Sequence, residues 1–224
     1  MPGLFVTGTD TDCGKTAVSQ GLIAALAARE LRVLGMKPVA SGCVETADGL
    51  RNDDAERLAA AGWCEQPYAR INPYAFAPAI APHVAAAEAG LEIALAPIRD
   101  AYRALSNEAD WVVVEGAGGW RVPLGDRLSM RDLPRALDLP VVLVVGVKLG
   151  CINHALLTQD SIRASGCPLV GWVANQVDPT MPASAANLDT LTRAIAAPRL
   201  GVIPWLDQLT PATVAAHLDP TPLL

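Results

Sequence analysis

A short glycine-containing loop near the amino terminus carries the side chains with the clearest chemistry. Residues 8–16 read GTDTDCGKT and lie between the apolar run LFVTG and an alanine-rich stretch that begins at Lys15. Glycine, lysine and a hydroxyl residue between a strand and a helix are typical of a loop whose backbone amides surround a phosphate chain. In such a loop Lys15 reaches the outer phosphates and the Thr16 hydroxyl ligates Mg²⁺. The loop therefore predicts a nucleotide-binding site.

The spacing of this loop differs from the common pattern and leaves alternatives open. Five residues separate Gly8 from Gly14, one more than in the usual phosphate loop, and Thr9 replaces a usual glycine. The alternative without a function is a solvated lysine in an ordinary strand-to-helix turn. The order of strand, loop, GKT and helix argues against this alternative. Regulatory ATPases of the cell-division or partition kind carry a further lysine in this loop. Asp10 occupies that position here, which argues against a switch that acts on a protein partner.

Two further charged residues follow strand-like runs. Lys37 lies in GMKPVASG and Glu115 follows WVVV, and the carboxyl ends of parallel strands meet at one edge of a sheet. Lys15 and Lys37 could together neutralise the charge on equatorial oxygens during phosphoryl transfer. Carboxylate oxygens suit Mg²⁺, so Glu115 is a candidate ligand. Asp53 and Asp54 are explained equally well as an ordinary helix N-terminus.

Apolar runs alternate with alanine- and leucine-rich stretches along most of the chain, which predicts an α/β fold. We expect a doubly wound, mainly parallel sheet with helices on both faces, as in P-loop NTPases. The segment 39–90 is interpreted as loop-rich, with short helices at 53–61 and 82–89. The strand-like runs cover 4–8, 32–39, 110–118, 139–147, 168–175 and 199–205, and the longer helices cover 15–30, 91–108, 153–165 and 183–196.

Composition excludes several classes of function. The chain has 224 residues, which predicts one domain over 1–224, with a tail at 207–224 that the patterns do not place. The net charge is -6, and there is no basic stripe, so a nucleic-acid partner is not expected. Apolar runs are too short for a membrane span. The five cysteines are scattered and predict neither disulfides nor zinc, and without a secretion signal we expect a cytoplasmic protein.

Taken together, these motifs resemble the dethiobiotin synthetase family over roughly residues 5–206. The segments that carry the resemblance are FVTGTDTDCGKT, KPVASG, GLRNDDA, NPYAF, DWVVVEGAGGW, LPVVLVVGVKLGCINHALLT, GWVANQV and LGVIPWL. The resemblance implies an enzyme that joins CO₂ to 7,8-diaminononanoate with MgATP and closes a cyclic urea, giving dethiobiotin, ADP and phosphate. It also implies a carbamate and a carbamic-phosphoric anhydride as intermediates, and a homodimer with the substrate carboxylate held at the subunit interface.

The resemblance further implies roles for individual residues. The catalytic residues would be Lys37, Lys15 and Thr11, and the Mg²⁺ ligands Thr16, Asp54 and Glu115. The substrate would be bound by Ser41, Gly150, Cys151, Ile152 and Asn153. ATP would be bound by Asp12, Cys13, Gly14, Lys15, Thr16, Ala17, Asp54, Glu115, Gly116, Ala117, Gly118, Asn175, Gln176, Pro204, Trp205 and Leu206.

Three positions depart from the pattern of that family. Asp12 replaces a glutamate and Gln176 replaces an aspartate, both near the nucleotide, and Asn187 replaces a tyrosine that helps to hold the substrate tail. None of these changes removes a group that the chemistry needs. A ring-forming or amide-forming ligase of the cobyrinate type is a second enzymatic interpretation. Such ligases usually carry a glutaminase domain, for which the chain has no room.

Overall fold

The computed structural model describes residues 3–224. Its strands are β1 (Gly3–Gly8), β2 (Val33–Met36), β3 (Val39–Ser41), β4 (Val44–Thr46), β5 (Gly49–Arg51), β6 (Tyr74–Phe76), β7 (Trp111–Gly119), β8 (Val141–Val147), β9 (Leu169–Gln176) and β10 (Arg199–Ile203). Its helices are α1 (Lys15–Ala27), α2 (Asp53–Ala61), α3 (Tyr68–Ile71), α4 (Pro82–Glu88), α5 (Leu95–Glu108), α6 (Asp132–Leu137), α7 (Cys151–Ala164), α8 (Ser184–Ala194) and α9 (Pro211–Ala215).

A parallel sheet of six strands lies at the centre of the fold. The strand order is β10-β9-β8-β1-β7-β2, and each neighbouring pair is parallel. β1 therefore lies between β7 and β8, and the loops that follow these three strands leave the same edge of the sheet. In an open parallel sheet, ligands collect at this kind of edge.

Alternate residues of the strands enter two separate buried clusters, one on each face of the sheet. Leu4 and Val6 of β1 belong to one cluster with residues of α1 and α9. Phe5 belongs to the other cluster with residues of α5, α6, α7 and α8. All residues of β8 are buried, as expected for a strand with both faces covered. The prediction of a doubly wound α/β fold is confirmed.

The segment 39–90 contains more regular structure than its sequence indicates. β3 and β6 form a parallel pair and β4 and β5 form an antiparallel pair, so the expectation of mostly loops was wrong. The predicted strand 32–39 is also interrupted after Met36. Pro38 lacks an N–H group and cannot donate to a sheet partner, while the Lys37 N–H donates to the Ile71 carbonyl at 2.8 Å. The chain leaves the central sheet at this point.

The segment after residue 207 packs against the first helix. Thr210 and Thr213 form a capping box that begins α9. Val214 of α9 is buried and lies where a side chain on Gly21 of α1 would clash. α5 and α7 begin at Leu95 and Cys151, a few residues away from the predicted starts. Within residues 3–224, no helix is long and apolar enough to cross a membrane.

Candidate active site

The phosphate loop lies at the carboxyl end of β1 and leads directly into α1. Gly14 precedes α1 with φ 87°, a left-handed conformation that favours glycine. A side chain on Gly14 would also collide with the Asn175 amide. That amide donates to the Cys13 carbonyl at 3.0 Å. The end of β9 therefore holds the loop in a conformation that requires glycine at position 14.

A lysine, two carboxylates and a hydroxyl form one cluster beside this loop. Lys37 Nζ lies 2.6 Å from Glu115 Oε1 and 2.8 Å from Asp54 Oδ2. Thr16 Oγ1 lies 2.8 Å from Asp54 Oδ1 and 2.9 Å from Glu115 Oε1, so its single proton can be donated to either carboxylate. The Lys37 and Glu115 side chains are 4% and 0% exposed. Four residues from α1, α2, β7 and the end of β2 thus meet at one point, where Lys37 and Glu115 are buried and the Asp54 side chain is 40% exposed.

Charge attraction within the cluster outweighs the effect of burial on its ionisation. Burial lowers the pKa of Lys37, but Glu115 and Asp54 raise it more, so the net pKa lies above its ordinary value of 10.5. Burial raises the pKa of Asp54, but Lys37 and the Thr16 hydroxyl lower it more, so the net pKa lies below 3.8. Both groups are therefore charged at neutral pH.

The donor set of this cluster fits Mg²⁺. Glu115 Oε2 is buried and has no hydrogen-bond partner among residues 3–224, which is costly for a carboxylate unless a cation faces it. The Thr16 hydroxyl lies 2.9 Å from the other Glu115 oxygen and 2.8 Å from one oxygen of Asp54. No group of three or more His, Cys, Asp or Glu side chains in the described part of the chain could hold a metal. A nucleotide-bound Mg²⁺ takes only one or two carboxylates because phosphates and water complete its coordination.

A cavity of about 690 Å³ opens beside the phosphate loop and the cluster. The buried hydroxyl of Ser41 has no partner among the described residues and lies in the cavity wall. Among the predicted site residues, those that line the cavity are Thr11, Asp12, Gly14, Lys15, Thr16, Ala17, Lys37, Ser41, Asp54, Ala117 and Gly118. Cys13, Glu115 and Gly116 are buried behind these residues. The structure therefore brings the predicted phosphate, metal and catalytic residues together.

Asp10 and Lys148 form a contact that the sequence analysis missed. Lys15 Nζ donates to the Asp10 carbonyl at 2.9 Å, and the Thr11 N–H donates to Asp10 Oδ1 at 2.8 Å. The second carboxylate oxygen lies 3.1 Å from Lys148 Nζ. The chain has lysine only at positions 15, 37 and 148. Because two of these lysines belong to the candidate site, this rarity could have indicated that Lys148 lies near the site as well.

Three curated relatives, each named ATP-dependent dethiobiotin synthetase BioD, match nearly the whole chain. The Pseudomonas aeruginosa (strain LESB58) protein is 55% identical over 226 residues, covering 100% of this chain and 98% of its own length. The Cellvibrio japonicus protein is 50% identical and covers 98% of this chain and 96% of its own length. The Xanthomonas campestris pv. campestris (strain ATCC 33913) protein is 48% identical, with 97% of each chain covered. This chain belongs to the dethiobiotin synthetase family.

One family model and two solved structures agree with the fold of this dethiobiotin synthetase family member. A family model described as an AAA domain matches residues 2–213. The MinC:MinD cell division protein complex of Aquifex aeolicus has a TM-score of 0.58 at 14% identity, covering 98% of this chain and 88% of that chain. MinD of Pyrococcus horikoshii, complexed with Mg-ADP, has a TM-score of 0.53 at 16% identity, covering 99% and 88%. At these identities the structural likeness shows the fold alone.

The remaining residues that the family resemblance assigns to ATP lie on the other side of the phosphate loop, at the ends of β9 and β10. Asn175 contacts the loop itself. Gln176 donates to the Ser184 hydroxyl at 2.9 Å and accepts from the Trp205 N–H at 3.4 Å. Its carboxamide thus joins the end of β9 to α8 and to the segment Pro204, Trp205 and Leu206 that follows β10. None of these residues lines the cavity among the described residues.

The four residues that the family resemblance assigns to the substrate tail lie apart from the cavity of the same chain. Gly150 has φ 91° and precedes α7, which begins at Cys151. Cys151 is buried, Ile152 is partly buried and Asn153 is exposed. None of the four lines the cavity in the described part of the chain. Ser41 is thus the one predicted substrate residue that the structure places beside the phosphate loop.

Proposed function

We propose that this chain makes dethiobiotin from 7,8-diaminononanoate, CO₂ and MgATP. The observation that carries the proposal is the contact of the buried Lys37 ammonium with Asp54 and Glu115, next to Thr16 of the phosphate loop. This arrangement places a cation and a candidate metal site at one wall of a single cavity. The names of relatives that are 48–55% identical over nearly the whole chain support the choice of substrate and product.

The proposed reaction has three steps. One amine of the substrate attacks CO₂ and loses a proton, giving a carbamate. A carbamate oxygen attacks the terminal phosphorus of ATP, so the bond to ADP breaks and a carbamic-phosphoric anhydride forms. The second amine attacks the carbonyl carbon, expels phosphate, loses a proton and closes the urea ring. Phosphorylation is needed because an unactivated carbamate oxygen is a poor leaving group.

Lys37 is proposed to act on the carbamate and on the transferring phosphoryl group. Its ammonium has three N–H donors, and Asp54 and Glu115 accept two of them. The third donor remains for an oxygen in the cavity that Lys37 lines. Two anionic neighbours keep the ammonium charged and fixed, so little reorganisation is needed when negative charge develops on the substrate. Lys37 is therefore an electrostatic stabiliser rather than a proton donor.

The phosphate loop is proposed to hold the nucleotide. Lys15 and Thr11 line the cavity and would contact the outer phosphates, together with the amides that begin α1. Thr16, Asp54 and Glu115 would hold Mg²⁺, which supplies positive charge to the phosphate oxygens. Asn175, Gln176 and the residues 204–206 would surround the base. Positioning and electrostatics are the main contributions of protein to this kind of transfer.

The diamine is proposed to lie between Ser41 and the partner subunit of a homodimer. Ser41 has an unpartnered buried hydroxyl in the cavity wall, and Ala79, Ile80 and Pro82 line the cavity with apolar surface. Residues 150–153 would hold the carboxylate of the substrate that the other subunit binds, since they lie outside the cavity of their own chain. The adjacent Leu149 is 91% exposed, and burial in a dimer would remove that apolar surface from water.

The deciding experiment incubates the full chain with MgATP, bicarbonate and 7,8-diaminononanoate. ADP release and formation of the cyclic urea are followed together, by a coupled assay and by mass spectrometry. We expect one cyclic urea for each ADP, and no ADP above background without the diamine. Absence of diamine-dependent turnover would reject the synthetase function. ADP formation that needs another protein instead of the diamine would favour a regulatory ATPase that acts on a protein partner.

A further inference from the structure

Asp10, in the phosphate loop, accepts three contacts, one at each of three of its own oxygen atoms. Its Oδ1 accepts the Thr11 N–H at 2.8 Å, and its backbone oxygen accepts Lys15 Nζ at 2.9 Å. Its Oδ2 lies 3.1 Å from Lys148 Nζ. Thr11 and Lys15 are the loop residues to which the proposed function assigns the outer phosphates. One residue thus fixes the orientation of both.

Lys148 lies between β8 and α7 and reaches back to the loop after β1. Its carbonyl accepts the Cys151 N–H at 2.9 Å, so its backbone forms part of the turn that begins α7. Nearer the sheet, the Thr9 N–H donates to the Val144 carbonyl at 3.0 Å, and the Gly146 N–H donates to Thr9 Oγ1 at 3.4 Å. The ion pair of Asp10 and Lys148 adds a further contact between the loop after β1 and the loop after β8.

Neither Asp10 nor Lys148 is among the described residues that line the cavity, whereas Lys15, Thr11 and Lys37 are. We propose that Asp10 and Lys148 are positioning residues: their ion pair holds the phosphate loop so that Thr11 and Lys15 face the transferring phosphoryl group. The inference rests on the proposed function, because it assigns these two residues to that transfer. The ion pair also links the phosphate loop to the turn that begins α7.

The exposure of the pair distinguishes positioning from stabilisation. The Asp10 and Lys148 side chains are 47% and 39% exposed, and ion pairs this exposed contribute little to the free energy of folding. The hydrogen bond from Lys148 is the largest cause that holds the pKa of Asp10 below 3.8, so Asp10 is ionised at neutral pH. Loss of the pair should therefore change catalysis while leaving thermal stability nearly unchanged.

The test compares Lys148→Met and Lys148→Arg in the full-length protein. We expect Lys148→Met to lower the diamine-dependent kcat roughly tenfold to a hundredfold, because small misplacement of reacting groups is costly. We expect the affinity for a non-hydrolysable MgATP analogue, measured by calorimetry, to fall about fivefold, because Lys15 loses its fixed orientation. Lys148→Arg keeps the positive charge and should restore kcat to within about threefold of the starting protein.

Two controls make the result specific. Arg32→Met breaks another partly exposed ion pair, with Asp110, and should leave kcat and analogue affinity within about twofold. Asp10→Asn keeps an acceptor for the Thr11 N–H but loses the charge. The double variant of Asp10→Asn with Lys148→Met should lose no more kcat than the stronger single variant, because both remove one interaction.

Three outcomes would overturn the positioning role. They are an unchanged kcat and analogue affinity in Lys148→Met, additive losses in the double variant, or a loss of activity in Lys148→Met that is matched by Lys148→Arg. If the starting protein shows no diamine-dependent turnover, the proposed function alone fails. The affinity for the MgATP analogue then decides whether the ion pair positions the phosphate loop.

Discussion

The cluster around Lys37 and the ion pair of Arg32 with Asp110 have similar chemistry but very different surroundings. Lys37 lies 2.6 Å from Glu115, and Arg32 lies 2.7 Å from Asp110. The first pair is 4% and 0% exposed, and the second is 51% and 38% exposed. Arg32 and Asp110 precede β2 and β7, whereas Lys37 follows β2. The two sets therefore lie at opposite ends of the same pair of strands.

The difference in burial indicates that the charges of the Lys37 cluster and those of the Arg32 pair have different roles. Moving charges out of water is expensive, and a buried ion pair often contributes no more to stability than apolar residues of similar volume. The exposed pair keeps its hydration and joins the starts of two neighbouring strands. The buried cluster, with an unpartnered carboxylate oxygen on Glu115, is better explained by what its charges do to a ligand. Substitutions in the two sets should therefore differ in both size and kind.

The largest effect is expected from Lys37→Gln on turnover. Loss of one preorganised cationic donor at the transferring group should lower kcat roughly a hundredfold to a thousandfold. The affinity for ADP should stay within about threefold, because Lys15 and the loop amides are retained. Steady-state kinetics and calorimetry measure the two quantities, with Arg32→Gln as the matched variant. An unchanged kcat would remove Lys37 from catalysis.

The same pair of variants should separate the two sets in stability. In EDTA, Lys37→Gln leaves Asp54 and Glu115 as neighbouring carboxylates without their cation, and the free energy of unfolding should fall by about 3 kcal/mol. Arg32→Gln should cause a much smaller change, because its partner stays hydrated. Urea unfolding gives both values. Equal losses in the two variants would contradict the distinction.

A smaller effect is expected from Asp54→Ala on nucleotide affinity. If Asp54 helps to hold Mg²⁺, the affinity for MgATP should fall roughly tenfold while the affinity in EDTA stays the same. Asp53→Ala provides a matched control, because Asp53 is the preceding residue but its side chain is 74% exposed and it does not line the cavity. A metal-independent loss in Asp54→Ala would assign Asp54 a structural role instead.

The sequence predicts this site better than it predicts the contacts between its loops. Lys15, Thr16, Lys37 and Glu115 each follow or lie in a strong strand-like run, so local patterns place them at one edge of a parallel sheet. Asp54 is different, since its sequence fits a helix N-terminus as well as a metal ligand. The structure satisfies both, because Asp54 lies in the first turn of α2 and its side chain joins the cluster.

Local sequence patterns cannot predict contacts that depend on the order of the strands in the sheet. The Asp10 and Lys148 pair joins residues 138 positions apart, and it forms because β1 and β8 are neighbours. Alternating apolar and helical runs do not specify that order. The strands of the segment 39–90 are missed for another reason: each has three residues, too few for an alternating pattern to emerge.

The smallest expected effect concerns the pH dependence of the exposed pair. The hydrogen bonds from Arg32 lower the pKa of Asp110 from 3.8 to about 2. Between those values the unfolded chain binds more protons than the folded protein, so the pair stabilises above the window and loses its contribution as the pH falls through it. The thermal midpoint of Asp110→Asn should therefore fall less steeply between pH 3.8 and about 2 than that of the unsubstituted protein. Identical slopes in Asp110→Asn and the unsubstituted protein would show that the Arg32 pair is broken in solution.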